Sequence, residues 1–377
     1  MLAPTEFGIV ALAVALVSIV DLLTTFSLST IYLQRRSSTS LMTAIVLAIF
    51  GIVALKIVVG LSVYLFNANK YDTEVWQLFG LVFASKLLTP LNSILIASLE
   101  KSIQFVRSTL IVNSANLAAI AAAIWAVSSG WGPFGLVLRE ILPVIFSLGA
   151  CFALVNGLKI DLRRVRPRQL RLVAISSLQM YALRATEIGF TKIPQLVVHS
   201  LFGAEALGLI SQASYLVNTS NRATNVLNQQ MGIVFFSLFR KNRESMRKGG
   251  GALFFVTMGI SVPVSLILYF YPERIVELLW GHRWIGAAAL LKFMSFAAIL
   301  LPVYTLLKSY LYGVRRHNYI TVGYAVSTTL IVGLIYVSYL SNLGLPYIAA
   351  AISLSYAALI LLALPGVIQR PQLQLSD

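Results

Sequence analysis

Residues 1–30 read MLAPTEFGIVALAVALVSIVDLLTTFSLST. Pro4, Thr5 and Glu6 form a loop and helix-cap signal. From Phe7 onward one charged residue, Asp21, interrupts the apolar run up to Thr30. A helix needs about 20 predominantly apolar residues to cross the hydrocarbon core of a bilayer. This stretch is long enough, and stretches like it recur along the chain. The spans fall at 6–31, 40–66, 75–98, 106–127, 133–156, 170–198, 204–238, 250–271, 285–311, 318–341 and 345–367. In lipid every backbone polar group must be satisfied within its own segment, so repeated spans mean a helical bundle. The period-2 alternation of a membrane barrel is absent.

The composition agrees. Hydrophobic residues make up 58% of the 377 and charged residues 11%, with a mean hydropathy of +0.84. Soluble domains carry roughly 25% charged residues. The formal net charge of +16 does not point to nucleic acid, because the basic residues sit in short clusters between apolar spans. One set of connections holds Arg35 and Arg36, Lys101 and Arg107, the run from Lys159 to Arg171, the run from Arg240 to Lys248, Arg315 and Arg316, and Arg370. The alternate set holds only Lys70, Arg274 and Arg283. The positive-inside rule makes the first set cytoplasmic, with the carboxyl terminus inside. Trp76, Trp125, Trp131, Trp280 and Trp284 all fall near the sparsely charged connections, where interfacial Trp is expected on the external side. Cys151 is the single cysteine, so no internal disulfide can form.

A repeat is legible. EFGIVALAVALVSIVD, at 6–21, echoes ALGLISQASYLVNTSN, at 206–221, with Gly8 over Gly208 and Asp21 over Asn221. GWGPFGLVL, at 130–138, echoes NLGLPYIAA, at 342–350. The two echoes run in the same direction at similar offsets, as in a parallel repeat about an axis along the membrane normal. Span 170–198 then has no partner within the first half. The expected fold is an all-α integral membrane protein of about eleven transmembrane helices in two pseudo-symmetric lobes, lacking the first helix of twelve. The alternative is a genuine eleven-span protein with a short translocated start. Residues 1–157 would form a five-helix N-terminal lobe, 158–169 a basic cytoplasmic linker resting on anionic membrane lipid, and 170–377 a six-helix C-terminal lobe.

Ionisable residues deep in a span are costly, roughly 3 kcal/mol each on insertion scales, and they mark pathways. Asp21, Lys56, Lys86, Arg184, Glu187 and Arg222 lie near the middle of their spans. Lys292 and Lys308 lie nearer helix ends and can snorkel. Arg184 and Glu187 are three apart and can pair on one face. Lys56 and Lys86 are each either paired with Asp21 across helices or bare in a cavity. Gln212, Asn218, Arg222, Asn225 and Gln229 share one helical face, widened by Asn221 and Asn228. Ser18, Asp21, Thr25 and Ser29 form a matching stripe. Such stripes either line a lumen or glue helices together. With four cations against two anions, a cavity would attract an anionic substrate, Arg binding phosphate as a fork and Lys as a point charge. The three histidines, His199, His282 and His317, have no metal-ligand spacing. No phosphate-binding P-loop occurs, and the external loops are too short for a glycosyltransferase or polymerase. A transporter that is not an enzyme is expected.

Five stretches carry a resemblance. LAPTEFGIVALA followed by IYLQRRSSTS, then LFGAEALGLISQASYLVN, LLWGHRWIGAAALL and LYGVRRHNYI, resembles the bacterial oligosaccharide flippases of polysaccharide biosynthesis. These belong to the superfamily of multidrug, oligosaccharidyl-lipid and polysaccharide exporters, and the likeness covers nearly the whole chain. The resemblance implies a V-shaped bundle of two six-helix lobes with a cationic cavity, in the bacterial inner membrane. It implies translocation of an undecaprenyl-pyrophosphate-linked oligosaccharide, an O-antigen, capsule or exopolysaccharide unit, by alternating access. A polysaccharide polymerase and a chain-length regulator are implied partners. Arg222, Arg184, Lys56 and Lys86, with Asn218 and Asn225, would bind the substrate. Asp21 and Glu187 would balance charge or carry a coupling proton. The chain departs from the family at Pro194, where relatives often carry an acidic residue, and at His199 and Ser200, where they carry Gly-Arg. Competing readings are a cation or drug antiporter of the same superfamily and an inactive truncated remnant.

Overall fold

The computed structural model describes residues 3–24, 26, 28–29, 32, 39–101, 104–154, 167–228, 232, 235–236, 243–314 and 316–368. Residues 158–166 of the basic linker, Thr25 and Gln229 lie outside the described residues, as does most of the stretch 229–242. Among the described residues, ten helices are long and apolar enough to cross a membrane. One of the ten, Tyr181–Ser220, runs 40 residues, about 60 Å at 1.5 Å per residue, against a hydrocarbon core of about 30 Å. It bends at Gly203, where φ is 84° and ψ is −178°, a conformation open essentially to glycine alone. The break falls between the two spans read in sequence as 170–198 and 204–238.

The chain divides into two compact units, Ile9–Ile188 and, with Ala3–Gly8, Gly189–Asp377. The first unit contains most of α1 (Pro4–Thr24), then α2 (Thr39–Asn67), α3 (Thr73–Lys101), α4 (Phe105–Ser128) and α5 (Pro133–Leu154). It also holds the first part of α6 (Pro167–Ser220). Pro4 opens α1, where its missing N–H is not needed. The Glu6 carboxylate reaches back to accept the Ala3 N–H at 2.7 Å, as in a capping box. Its core packs Leu28, Tyr32, Leu41, Met42, Ile45, Ile49 and Ile52 against Ile94, Ala97 and Val173.

The second unit holds the rest of α6, the short α7 (Arg222–Val226), α8 (Arg243–Phe270) and α9 (Pro272–Trp280). They are followed by α10 (Gly286–Gly313), α11 (His317–Leu340) and α12 (Leu345–Ile368). Here α10 is the central helix: α8, α11 and α12 pack on it, and Leu290, Leu291, Met294 and Leu311 are fully enclosed. The first turn of α1 lies against α6 in this unit. Gly8 and Gly208, the residues that align in the repeat, meet at that crossing. A Cβ on Gly8 would overlap the carbonyl oxygen of Ala204, and one on Gly208 would overlap that of Pro4. Small residues allow this backbone-to-backbone approach in membrane helices.

Large apolar side chains face outward around both units, among them Phe50, Leu65, Phe66, Leu117 and Phe255. A soluble protein does not expose apolar surface on this scale. The protein is a multi-pass membrane protein.

Candidate functional site

The densest collection of deep charges lies within the first unit. α1, α2, α3 and α6 surround a cavity of about 330 Å³ lined by Asp21, Lys56, Arg184 and Glu187, together with the hydroxyl residues Thr24, Ser29, Thr89 and Ser93. Phe26 and Tyr181 stack with ring centroids 5.5 Å apart and hold the stretch after α1 against α6.

Each charge is placed by its helix. α2 is apolar almost all round, and Lys56 is the one charged residue in it. The ammonium is buried and donates to the Asp21 carboxylate at 2.6 Å. It also donates to the main-chain oxygen of Lys86 at 3.2 Å. That carbonyl is available for a sequence reason. Residue 90 is proline, so the N–H that would close the helical bond to residue 86 does not exist. A kink-forming proline thus supplies a second acceptor for a buried cation. On α6, Arg184 donates to Glu187 at 3.2 Å across one helical turn. Arg184 is half exposed, so this pair is open to exchange with another anion.

The cavity brings together four of the residues singled out from the sequence: Asp21, Lys56, Arg184 and Glu187. Of the two lysines weighed as partners of Asp21, Lys56 takes it, and Lys86 enters through its carbonyl rather than its ammonium. The cavity therefore carries two cations and two anions. The cation excess expected from the sequence depends on Lys86 and on Arg222, and neither lines it.

Arg222, Asn218 and Asn225 belong to the second unit. Arg222 and Asn218 are exposed, and Asn218 donates to the Ser214 carbonyl at 2.8 Å. The amides that are buried are Gln212, Asn221 and Asn228. Asn228 donates to the Pro302 carbonyl at 3.1 Å and accepts from the Thr257 hydroxyl at 3.0 Å, so it ties α8 and α10 together. The helix is interrupted at Asn221 and turns π-helical at Leu227–Asn228. That shifts the phase of the stripe, so a single 3.6-residue period does not describe it. Lys308, read from sequence as snorkelling, is instead buried. Its ammonium lies 3.3 Å from the Tyr324 hydroxyl and over the Tyr312 and Tyr324 rings. Tyr324 lies on α11, which follows α10 directly, and it closes over a position that sequence places near a helix end.

Among solved structures, an inward-facing multidrug resistance MATE family transporter of the MOP superfamily is similar, with a TM-score of 0.72 and 14% identity over 97% of this chain and 88% of that one. The lipid II flippase MurJ, in an inward closed conformation, gives a TM-score of 0.68 at 14% identity over 98% of this chain and 82% of the other. A MOP superfamily transporter from Pyrococcus furiosus, described as having a binding pocket of reversed polarity, gives 0.60 at 16% identity over 97% and 85%. These likenesses establish the fold. No curated protein sequence matches the chain. The family model for polysaccharide biosynthesis proteins matches residues 1–289, and with that match over most of its length the chain belongs to the polysaccharide biosynthesis protein family.

Proposed function

We propose that the protein is a flippase that carries an undecaprenyl-pyrophosphate-linked oligosaccharide across the bacterial inner membrane by alternating access, with its carboxyl terminus in the cytoplasm. The observation that carries this reading is the pair of cations, Lys56 and Arg184, lining one hydroxyl-rich cavity in a member of a polysaccharide biosynthesis family. The MurJ likeness supports it, since that protein is a lipid II flippase. In this reading the diphosphate displaces Glu187 from Arg184 and Asp21 from Lys56. The ammonium keeps the Lys86 carbonyl throughout and so is never left bare. In this reading Asp21 and Glu187 carry the coupling proton. Lys86, Arg222, Asn218 and Asn225 contact the substrate along its path.

The test is the fate of lipid-linked oligosaccharide in cells lacking the gene. Build-up of the intermediate on the cytoplasmic leaflet with loss of surface polymer is expected. Unchanged intermediate and polymer would overturn the reading. A second reading, antiport of a cation or drug, is favoured by the two carboxylates in the same cavity. It predicts unchanged polymer together with raised sensitivity to cationic compounds.

A further inference from the structure

We infer that a second cavity, where α8 meets α9 and α10, binds the phosphodiester headgroup of an anionic membrane phospholipid. The cavity is about 530 Å³ and its lining includes Tyr269, Tyr271, Glu273, Arg274, Ile285 and Lys292. That volume lies within the range of ligand pockets. The Lys292 ammonium sits 5.2 Å from the centroid of the Tyr269 ring, and the Arg274 guanidinium 5.8 Å from that of Tyr271. Among the described residues neither cation forms an ion pair. Two uncommitted cations and one carboxylate leave the cavity with a single excess positive charge. That matches a phosphodiester, which carries one negative charge, better than a diphosphate. Arg offers a fork to two phosphate oxygens and Lys a point charge.

The surroundings supply the lipid's other half. α9 is amphipathic: Ile275, Leu278 and Leu279 recur at helical spacing opposite Glu273 and Glu277, with Arg274 at the edge of the apolar face, four residues before Leu278. Leu278 is 84% exposed and Phe270 67%. A short helix of this pattern lies in the membrane interface with its apolar face against acyl chains. Trp280, half-buried at the end of α9, is of the residue type that gathers at the membrane interface. The cations thus stand at headgroup depth beside a surface made for hydrocarbon. The inference is independent of the flippase reading, because it predicts lipid binding whatever the chain transports.

The test is native mass spectrometry of the purified full chain in detergent, titrated with phosphatidylglycerol or phosphatidylethanolamine. Wild type should retain one phosphatidylglycerol per chain at concentrations where phosphatidylethanolamine is lost. Each basic side chain near an anionic headgroup is worth roughly fivefold. Lys292→Gln alone should weaken retention by about that factor, and with Arg274→Gln by about thirtyfold. Both side chains are exposed, so unfolding temperatures in detergent alone should match wild type. Equal retention of the two lipids, or unchanged retention in both variants, overturns the inference. Displacement by excess inorganic phosphate would give the site to free phosphate, and stronger displacement by a prenyl diphosphate would give it to the carrier lipid. Either result also overturns it.

Discussion

The Lys56 ammonium is shared between the Asp21 carboxylate at 2.6 Å and the Lys86 carbonyl at 3.2 Å. Removing one partner of a buried ion pair leaves an uncompensated charge, at a cost of about 3–5 kcal/mol. Here the second acceptor remains, so Asp21→Asn should fall at or below the lower end of that range. Lys56→Met leaves the carboxylate, which is about one-fifth exposed, and should cost less again. The double variant Asp21→Asn with Lys56→Met should recover most of the loss. Thermal unfolding in detergent measures all three. Additive losses in the double variant would show that the two side chains do not act as a pair.

Pro90 is the origin of the free Lys86 carbonyl. Pro90→Ala restores an N–H at that position and lets α3 close its own hydrogen bond. A proline in a helix interior costs about 3 kcal/mol, so the variant should unfold at the same or a higher temperature than wild type. Lys56 then competes with the backbone for its second acceptor. Surface polysaccharide should fall although the protein is no less stable. Export at wild-type levels from a normally folded Pro90→Ala protein would mean that the carbonyl plays no part in transport.

The fold was largely legible and the site only in part, for a physical reason. Span lengths are a one-dimensional property, and the break at Gly203 falls between two spans drawn from apolar length alone. Arg184 with Glu187 needed only a spacing of three on one helix. Which lysine meets Asp21 needed a direction around the helix axis. α2 has no polar stripe to give one, because a helix apolar on all sides carries no amphipathic signal. The amide stripe misled for a related reason. It assumed one unbroken period through residue 221, where the helix is interrupted. Beyond the interruption Asn228 is enclosed; before it, Gln212 is enclosed and Asn218 exposed, because six residues turn a helix by about 240° rather than back onto one face.

Gly8 and Gly208 offer a test of the crossing at the start of α1. The atoms that a new Cβ would strike are backbone carbonyls, which cannot rotate away as a side chain could. Overpacking of this kind costs about 1–3 kcal/mol, so Gly8→Ala and Gly208→Ala should each lower the unfolding temperature. Gly51 is the control. A Cβ there meets nothing within 4 Å, and alanine in a helix interior is favoured over glycine by about 0.5–1 kcal/mol. Gly51→Ala should be neutral or stabilising. If all three behave alike, α1 and α6 do not cross at these glycines.

Arg184 and Arg222 separate a transport role from a structural one. Arg184 is half exposed and bonds one turn along its own helix. Exposed pairs of this kind contribute about 0.2–1 kcal/mol, so Arg184→Ala should scarcely move the unfolding temperature. Arg222 is exposed as well. In both variants the protein should insert at wild-type levels by immunoblot of membranes. If the cations bind diphosphate, surface polysaccharide should nonetheless be lost in each. Arg184→Lys should restore part of it, because a point charge still attracts phosphate but no longer offers a fork. Normal polymer from both alanine variants would remove these arginines from the path of the substrate and leave Lys56 as the one cation of the cavity with a claim on it.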